Sequence, residues 1–278
     1  MAPLDNASDL SELDQAEREA AGAFLGQHPA RRGAPLAVVI AAYNEEASIA
    51  EVVAAMPAQA GGLPLEVIVV VDGATDATAA RAKAAGALVC DVPVNRGQGA
   101  ALRLGYFLAR ARGARIIATT DADGQYDAAE LSRVVAPVVD GTADFVSGSR
   151  RLGKAHTTDK VRHAGVVFFG LLISVITGQR VTDPACGMRA MLAEVTSAVN
   201  LRQPQYQASE LMISAALAGY RLAEVPITMS PRRAGTTKKG GNLRYGARFT
   251  RVVLATWWRE RSASGGGLAW RSAKITVS

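Results

Sequence analysis

Four short apolar runs, at residues 36–41, 65–71, 87–92 and 116–120, alternate with Ala-rich stretches of helical spacing at 46–56, 76–85 and 99–111. No other feature of the chain constrains its fold as much. The runs are apolar at consecutive positions, as in Leu65-Glu-Val-Ile-Val-Val-Val71, rather than at every second one. Strands of that kind must be covered on both faces, which predicts an α/β domain with a parallel sheet flanked by helices. Ligands of such sheets sit beyond the carboxyl ends of the strands. The polar residues gather there. Tyr43-Asn44-Glu45 follows the first run, Asp72 the second, Asn95-Arg96-Gly97-Gln98-Gly99 the third and Asp121-Ala122-Asp123 the fourth.

The pentapeptide Asp121-Ala-Asp-Gly-Gln125 carries the most chemistry. Its two carboxylates and the amide oxygen of Gln125 can converge on one hard divalent cation, magnesium or manganese. A cation with so few protein ligands shares its other positions with substrate phosphates, which points to a nucleotide diphosphate donor. A formal charge of +6 agrees with an acidic partner. Zinc-ligand spacings and aromatic-interleaved basic segments are absent, so no nucleic-acid partner is expected.

Cys90 and Cys186 are far apart and read as buried, reduced thiols of a cytoplasmic protein. The first thirty residues are acidic and Ala-rich, unlike a signal peptide. The longest apolar stretch, 164–177, is too short to span a hydrocarbon core of about 30 Å. It reads as a buried helix or as a segment lying at the membrane interface, making the chain soluble or peripheral on the cytoplasmic membrane face.

Residues 1–33 read as a helical or disordered leader, 34–241 as one catalytic domain, 242–260 as an amphipathic basic helix and 261–278 as a disordered tail. In the second half, strands are expected at 145–149 and 222–229, the latter at a sheet edge because it contains Pro226. Residues 183–189 read as a turn or loop and 207–217 as an amphipathic helix. The final helix mixes Phe249, Trp257 and Trp258 with Arg248, Arg251 and Arg259, which suits either a membrane interface or domain packing with a solvated basic face.

Eight short motifs follow one another along the chain. They are Ala42-Tyr43-Asn44-Glu45-Glu46, Val71-Asp72-Gly73-Ala74-Thr75-Asp76, Asn95-x-Gly97-x-Gly99-x-Ala101 and Asp121-Ala-Asp-Gly-Gln125. Then come Gly148-Ser149-Arg150, Asp183-Pro184-Ala-Cys-Gly187-Met-Arg189, Glu224-Val-Pro-Ile227 and Arg232-x-x-Gly235-x-Thr237-Lys238. In this order they resemble the family 2 glycosyltransferases of the GT-A fold, above all the dolichol-phosphate and polyprenyl-phosphate sugar synthases.

The resemblance implies a Rossmann-like, mostly parallel sheet in a single catalytic domain. It implies transfer of a hexose such as mannose or glucose from a GDP-mannose or UDP-glucose type of donor to a polyprenyl phosphate. Donor contacts are implied at Ala42, Tyr43, Glu45, Asp72, Gly97, Asp121 and Ala122. Tyr43 and Glu45 would hold the base and ribose, with Asp72 accepting a hydrogen bond from one of them. The metal, Mg2+ or Mn2+, is implied at Asp121, Asp123 and Gln125. The acceptor phosphate is implied at Arg150, Arg162, Arg232 and Lys238, with Asp123, Arg150 and Arg232 in catalytic roles.

A phosphate monoester is already anionic at neutral pH and needs cationic positioning rather than a general base. The alternative is a family 2 enzyme with a soluble or glycan hydroxyl acceptor, which requires a carboxylate base. Asp183 and Glu210 are its candidates. Otherwise Asp183 reads as a loop anchor and Arg189 as a phosphate or loop contact.

Three departures from the family pattern stand out. Ala41 occupies a frequent proline site. Val71 and Ala74 replace an Asp and a Ser, which leaves the nucleobase open. Tyr126-Asp127 stands where His-Pro is typical. The rival nucleotidyltransferase reading would need a Gly-rich basic loop after the first strand, where Ala-Ala-Tyr-Asn-Glu-Glu stands. A dead scaffold that only binds nucleotide sugars fits poorly with the complete Asp121, Asp123 and Gln125 set.

Overall fold

The computed structural model describes residues 13–29, 32–155, 160–203, 205–231 and 242–263. The four apolar runs become β1 (Leu36–Ala42), β3 (Leu63–Asp72), β4 (Leu88–Val92) and β5 (Ile116–Thr119). The helices between them are α2 (Ile49–Ala54), α3 (Thr78–Ala84) and α4 (Gln98–Arg112), and a short β2 (Gln59–Ala60) hairpins onto β3. The second half supplies α5 (Leu131–Val139), β6 (Phe145–Ala155), α6 (Lys160–Thr177), β7 (Arg189–Leu192) and α7 (Ala193–Ala198). It ends with α8 (Gln207–Leu217), β8 (Leu222–Met229) and α9 (Asn242–Ala263). Ahead of β1 lies α1 (Gln15–Gln27).

The sheet runs β4-β3-β1-β5-β7-β6-β8. Strands β4, β3, β1 and β5 are mutually parallel, and β6 and β8 are parallel to each other. Strand β8 lies at the edge, where its Pro226 costs no ladder hydrogen bond to a further strand. Both faces of the central strands are buried, as their apolar runs require. On β1, Ala37 and Val39 join one core with Ile68 and Val70 of β3, while Leu36, Val38 and Ile40 join the other with Val69 and Val71. Phe24 of α1, Leu104 of α4, Phe169 of α6, Ile213 of α8 and Val253 of α9 fill the first core. Ile49 of α2, Ala82 of α3 and Leu131 of α5 fill the second.

The 183–189 segment, read from sequence as a turn or loop, ends by starting a strand. β7 has only 4 residues and is inserted antiparallel between β5 and β6, with Arg189 opposite both Thr119 and Ser147. Its pairing is entirely non-local, so no alternation in the chain announces it. Helix α2 begins at Ile49 rather than at 46, because the preceding backbone is turned toward another loop. The amides of Glu45 and Glu46 donate to Thr78 Oγ1 (2.8 Å) and Asp76 Oδ2 (3.2 Å). Within the segment read as a leader, α1 is started by a reciprocal cap between Asp14 and Glu17 and buries Ala21 and Phe24. Helix α9 continues past Arg259 to Ala263.

Candidate active site

The reversed direction of β7 brings its first residue to the edge of the sheet where β1, β3 and β5 end. Strand β6 passes the same edge at Gly148–Arg150. The polar residues of both halves therefore meet along one border.

On the first half of that border, loops are tied to one another through side chains. Asn44 adopts a left-handed conformation (φ 50°), and its Oδ1 accepts from the Thr75 amide at 2.9 Å. Glu46 Oε2 accepts from the Ala77 amide, and Asp76 Oδ1 accepts from the Thr78 amide. Burial alone would raise the Asp76 carboxyl pKa, but hydrogen bonds from Thr78 and Glu46 leave it below the ordinary value. Tyr43 stands partly exposed just beyond β1, while Ala42 is buried at its end.

Asp72 is buried, and its two oxygens accept from the amides of Arg96 (2.8 Å) and Gly97 (2.7 Å). The carboxylate expected to accept from the donor's base or ribose thus shapes the loop that precedes α4. Gly97, at φ 93°, is the N-cap of α4 and brings no side-chain oxygen to it. The helix begins with its positive end uncapped by any side chain. Gln98, its first residue, reaches Asp121 Oδ1 at 3.4 Å.

Asp121 is half-buried and Asp123 is 6% exposed. Asp123 Oδ1 accepts from the Gln125 amide at 3.1 Å, a local turn that keeps the pentapeptide folded back on itself. Ser48 Oγ donates to the Ala122 carbonyl at 2.8 Å and ties this turn to α2. Gln125 Nε2 donates to the Ser230 carbonyl at 3.0 Å, just beyond β8. Gly187 packs on Asp121 so closely that a Cβ there would stand 2.5 Å from both carboxylate oxygens. Two carboxylates and an amide at a strand end form a donor set that fits magnesium or manganese. Among the described residues no group of three or more His, Cys, Asp and Glu side chains could hold a metal ion. A cation here would have to complete its shell with Gln125 and non-protein oxygens.

On the second half, Arg150 and Asp183 form a fork. Nε donates to Oδ2 at 2.6 Å and Nη2 to Oδ1 at 2.7 Å, while Nη1 lies 3.4 Å from the sulfur of Met229. Asp183 is fully buried. Although burial works against the guanidinium charge, the Asp183 carboxylate raises the Arg150 pKa above its ordinary value. Glu224 holds the same loop, accepting from the amides of Thr182 and Asp183 at 2.8 Å each. Glu210 is equally buried and accepts from the amides of Arg202 and Gln203 and from Arg259 Nη1.

These geometries carry a family signature. A family model described as Glycosyl transferase family 2 matches residues 37–199. The chain belongs to glycosyl transferase family 2. This glycosyltransferase is 34% identical over 203 residues to a dolichyl-phosphate hexose transferase of Haloferax volcanii, covering 73% of this chain and 86% of that one. It is 27% identical over 213 residues to a dodecaprenyl-phosphate galacturonate synthase of Rhizobium johnstonii, covering 74% and 62%. Glucosyl-3-phosphoglycerate synthase of Mycobacterium tuberculosis, solved with Mn2+, UDP and glucosyl-3-phosphoglycerate, superposes with a TM-score of 0.61 at 22% identity. The match covers 86% of this chain and 83% of that one and establishes the GT-A fold.

Of the residues singled out in the sequence of this family 2 enzyme, Glu45, Asp72, Gly97, Asp121, Asp123, Gln125 and Arg150 line the one border. Arg232 and Lys238 lie outside the described residues. Arg162 falls in the first turn of α6, and its side chain is likewise outside them. Arg189 makes a loop contact, donating from Nε to the Cys186 carbonyl at 2.9 Å, and its Nη1 is buried without an acceptor. Sequence reasoning missed Ser48, Thr119 and the role of Tyr126. Ser48 and Thr119 act on residues 74 and 68 positions away, a separation no local pattern encodes. Tyr126 did carry a signal, as a departure from the family's His-Pro. Its hydroxyl accepts from the Gly187 amide at 3.0 Å, and burial, with Cys186 and Asp121 nearby, pushes its phenol pKa well up.

Proposed function

We propose that this glycosyltransferase moves a hexose from a nucleoside diphosphate sugar to a polyprenyl phosphate, with inversion, in a metal-dependent reaction at a membrane surface. The observation that carries this reading is the state of the two candidate bases. Asp183 and Glu210 are both fully buried, one forked by Arg150 and the other saturated by two amides and Arg259. An acceptor that needs deprotonation would find no base there, whereas a phosphate monoester needs none. The names of the Haloferax and Rhizobium relatives support the same acceptor class.

Tyr43 and Glu45 hold the base and ribose, and the uncapped N-terminus of α4 faces the diphosphate with its backbone amides. Asp121, Asp123 and Gln125 would hold a magnesium or manganese ion, which would neutralise charge on the leaving nucleoside diphosphate. Arg150, through Nη1, positions the acceptor phosphate together with Arg162, Arg232 and Lys238. A phosphate oxygen forms the new bond to the anomeric carbon as the bond to the diphosphate breaks, and the electron pair leaves with the nucleoside diphosphate. Positioning and electrostatics supply most of the acceleration.

Membrane contact is supported by α6 and α9, which meet where the tilted rings of Phe169 and Phe249 lie 4.3 Å apart. Phe168, Leu171 and Val175 form one exposed stripe on α6, at 58%, 63% and 80% exposure, and Leu254 and Trp258 another on α9. Exposed Arg251 and Arg261 on α9 add positive charge suited to anionic headgroups. Among the described residues no helix is long and apolar enough to cross a membrane.

The test is a radiolabelled transfer assay with Mn2+ or Mg2+, offering GDP-mannose, UDP-glucose and UDP-N-acetylglucosamine to a short polyprenyl phosphate. Label entering the organic phase, and lost with Asp123→Ala, is the expected result. Label that reaches only water-soluble acceptors would overturn the lipid phosphate and leave the glycosyltransferase standing.

A further inference from the structure

We infer that Tyr126 is a positioning residue for the metal site: through the Gly187 peptide it fixes the Asp121 carboxylate in the orientation that ligates the cation. The inference rests on the reading of Asp121 as a metal ligand and deepens it. Asp121 is held by little else. Among the described residues its side-chain hydrogen bond is a long one, 3.4 Å from Gln98 Nε2. Its other close neighbour is the Gly187 backbone, packed so tightly that a Cβ there would stand 2.5 Å from both carboxylate oxygens.

That backbone is itself pinned at both ends. The Gly187 N–H donates to Tyr126 Oη at 3.0 Å, and the Gly187 carbonyl accepts from Thr119 Oγ1 at 2.7 Å. Tyr126 is anchored in turn. Its backbone bridges to Met229, and the preceding Gln125 is bound to Ser230 through both side chain and backbone. A ring without the hydroxyl would fill the same space yet leave the Gly187 amide without its acceptor. The peptide would then be free to tilt, and the Asp121 carboxylate would follow. Groups that orient a metal ligand without touching the metal commonly govern affinity as strongly as some ligands do.

Two variants separate this role from a merely structural one. Tyr126→Phe removes the acceptor. Gly187→Ala adds a Cβ 2.5 Å from both Asp121 carboxylate oxygens and 2.6 Å from its Cγ, which displaces the carboxylate from its present place. Mn2+ would be titrated by electron paramagnetic resonance with UDP and, in parallel, GDP, and thermal unfolding would be followed in EDTA. Both variants should bind Mn2+ about ten-fold more weakly than wild type. Their metal-free unfolding midpoints should stay within about 3 °C of it. Wild-type Mn2+ affinity in both variants, with affinity lost in Asp121→Ala, would overturn the positioning role alone. Absence of Mn2+ binding by the wild-type protein would overturn the metal reading and this inference with it.

Discussion

Arg150 and Asp183 are joined by two parallel hydrogen bonds of 2.6 and 2.7 Å, and the Arg150 amide donates a third, at 3.1 Å, to the same carboxylate. The pair links β6 to the loop that leads into β7. It neutralises a carboxylate at 0% exposure and leaves one guanidinium nitrogen, Nη1, on the side of Met229. An arginine proposed to position a phosphate is thereby held rigid by a fully buried acid.

Asp183→Asn strands the Arg150 charge in a buried setting. Urea unfolding at neutral pH should show a stability loss of about 3 kcal/mol. Replacing both partners, Arg150→Met with Asp183→Leu, should recover only part of that loss, because the Arg150 amide is left without its acceptor, and transfer should be absent. An Asp183→Asn protein as stable as wild type but inactive would instead mark Asp183 as a base.

Removing the metal should stop transfer without unfolding the domain, because the cores on both faces of the sheet form without it. EDTA is expected to abolish label transfer, and added Mn2+ to restore it. Asp123→Asn should resist rescue. Activity that persists in EDTA would contradict the assignment of Asp121, Asp123 and Gln125.

Burial pushes the thiols of Cys90 and Cys186 up to about 12, from an ordinary 9.0. Neither should react with iodoacetamide at pH 8 in the folded protein, and both should react in urea. The sign for stability follows from the raised values. The contribution of the neutral thiols is complete below pH 9.0 and declines as pH rises toward about 12, because the unfolded chain releases those protons first. Thermal midpoints measured from pH 8 to 11 should therefore fall on the alkaline side.

The apolar stripe on α6 predicts vesicle binding. Phe168→Ser and Leu171→Ser should each weaken sedimentation with anionic vesicles about ten-fold, as loss of one large apolar contact implies. Donor affinity should not change. Unaltered vesicle binding in the double variant would remove α6 from the interface.

The first half of the domain was legible because each of its strands is a run apolar on both faces and each ends in polar residues. Strand β7 was not, since its four residues include a buried arginine and pair only with distant partners. Carboxylates divided in the same way. The i, i+2 spacing of Asp121 and Asp123 singles them out in the chain, whereas Asp72 at a strand end reads the same whether it meets a ribose or the amides 24 and 25 residues ahead. Arg150 was picked out as a candidate phosphate contact, yet nothing local tells that most of its fork faces Asp183, 33 positions away. Motif order thus named the candidate residues, and long-range hydrogen bonding shows which of them hold the others.

The reversal of β7 bears on how such an enzyme can be re-engineered. Along the chain the two halves look like separable modules, with a natural seam at the exposed turn around Gly141. In space the seam vanishes, because Thr119 grips Gly187 and Gly187 abuts Asp121. Chimeras that join the front of one relative to the back of another would have to transplant this three-residue clasp intact, so the two halves are not independent cassettes.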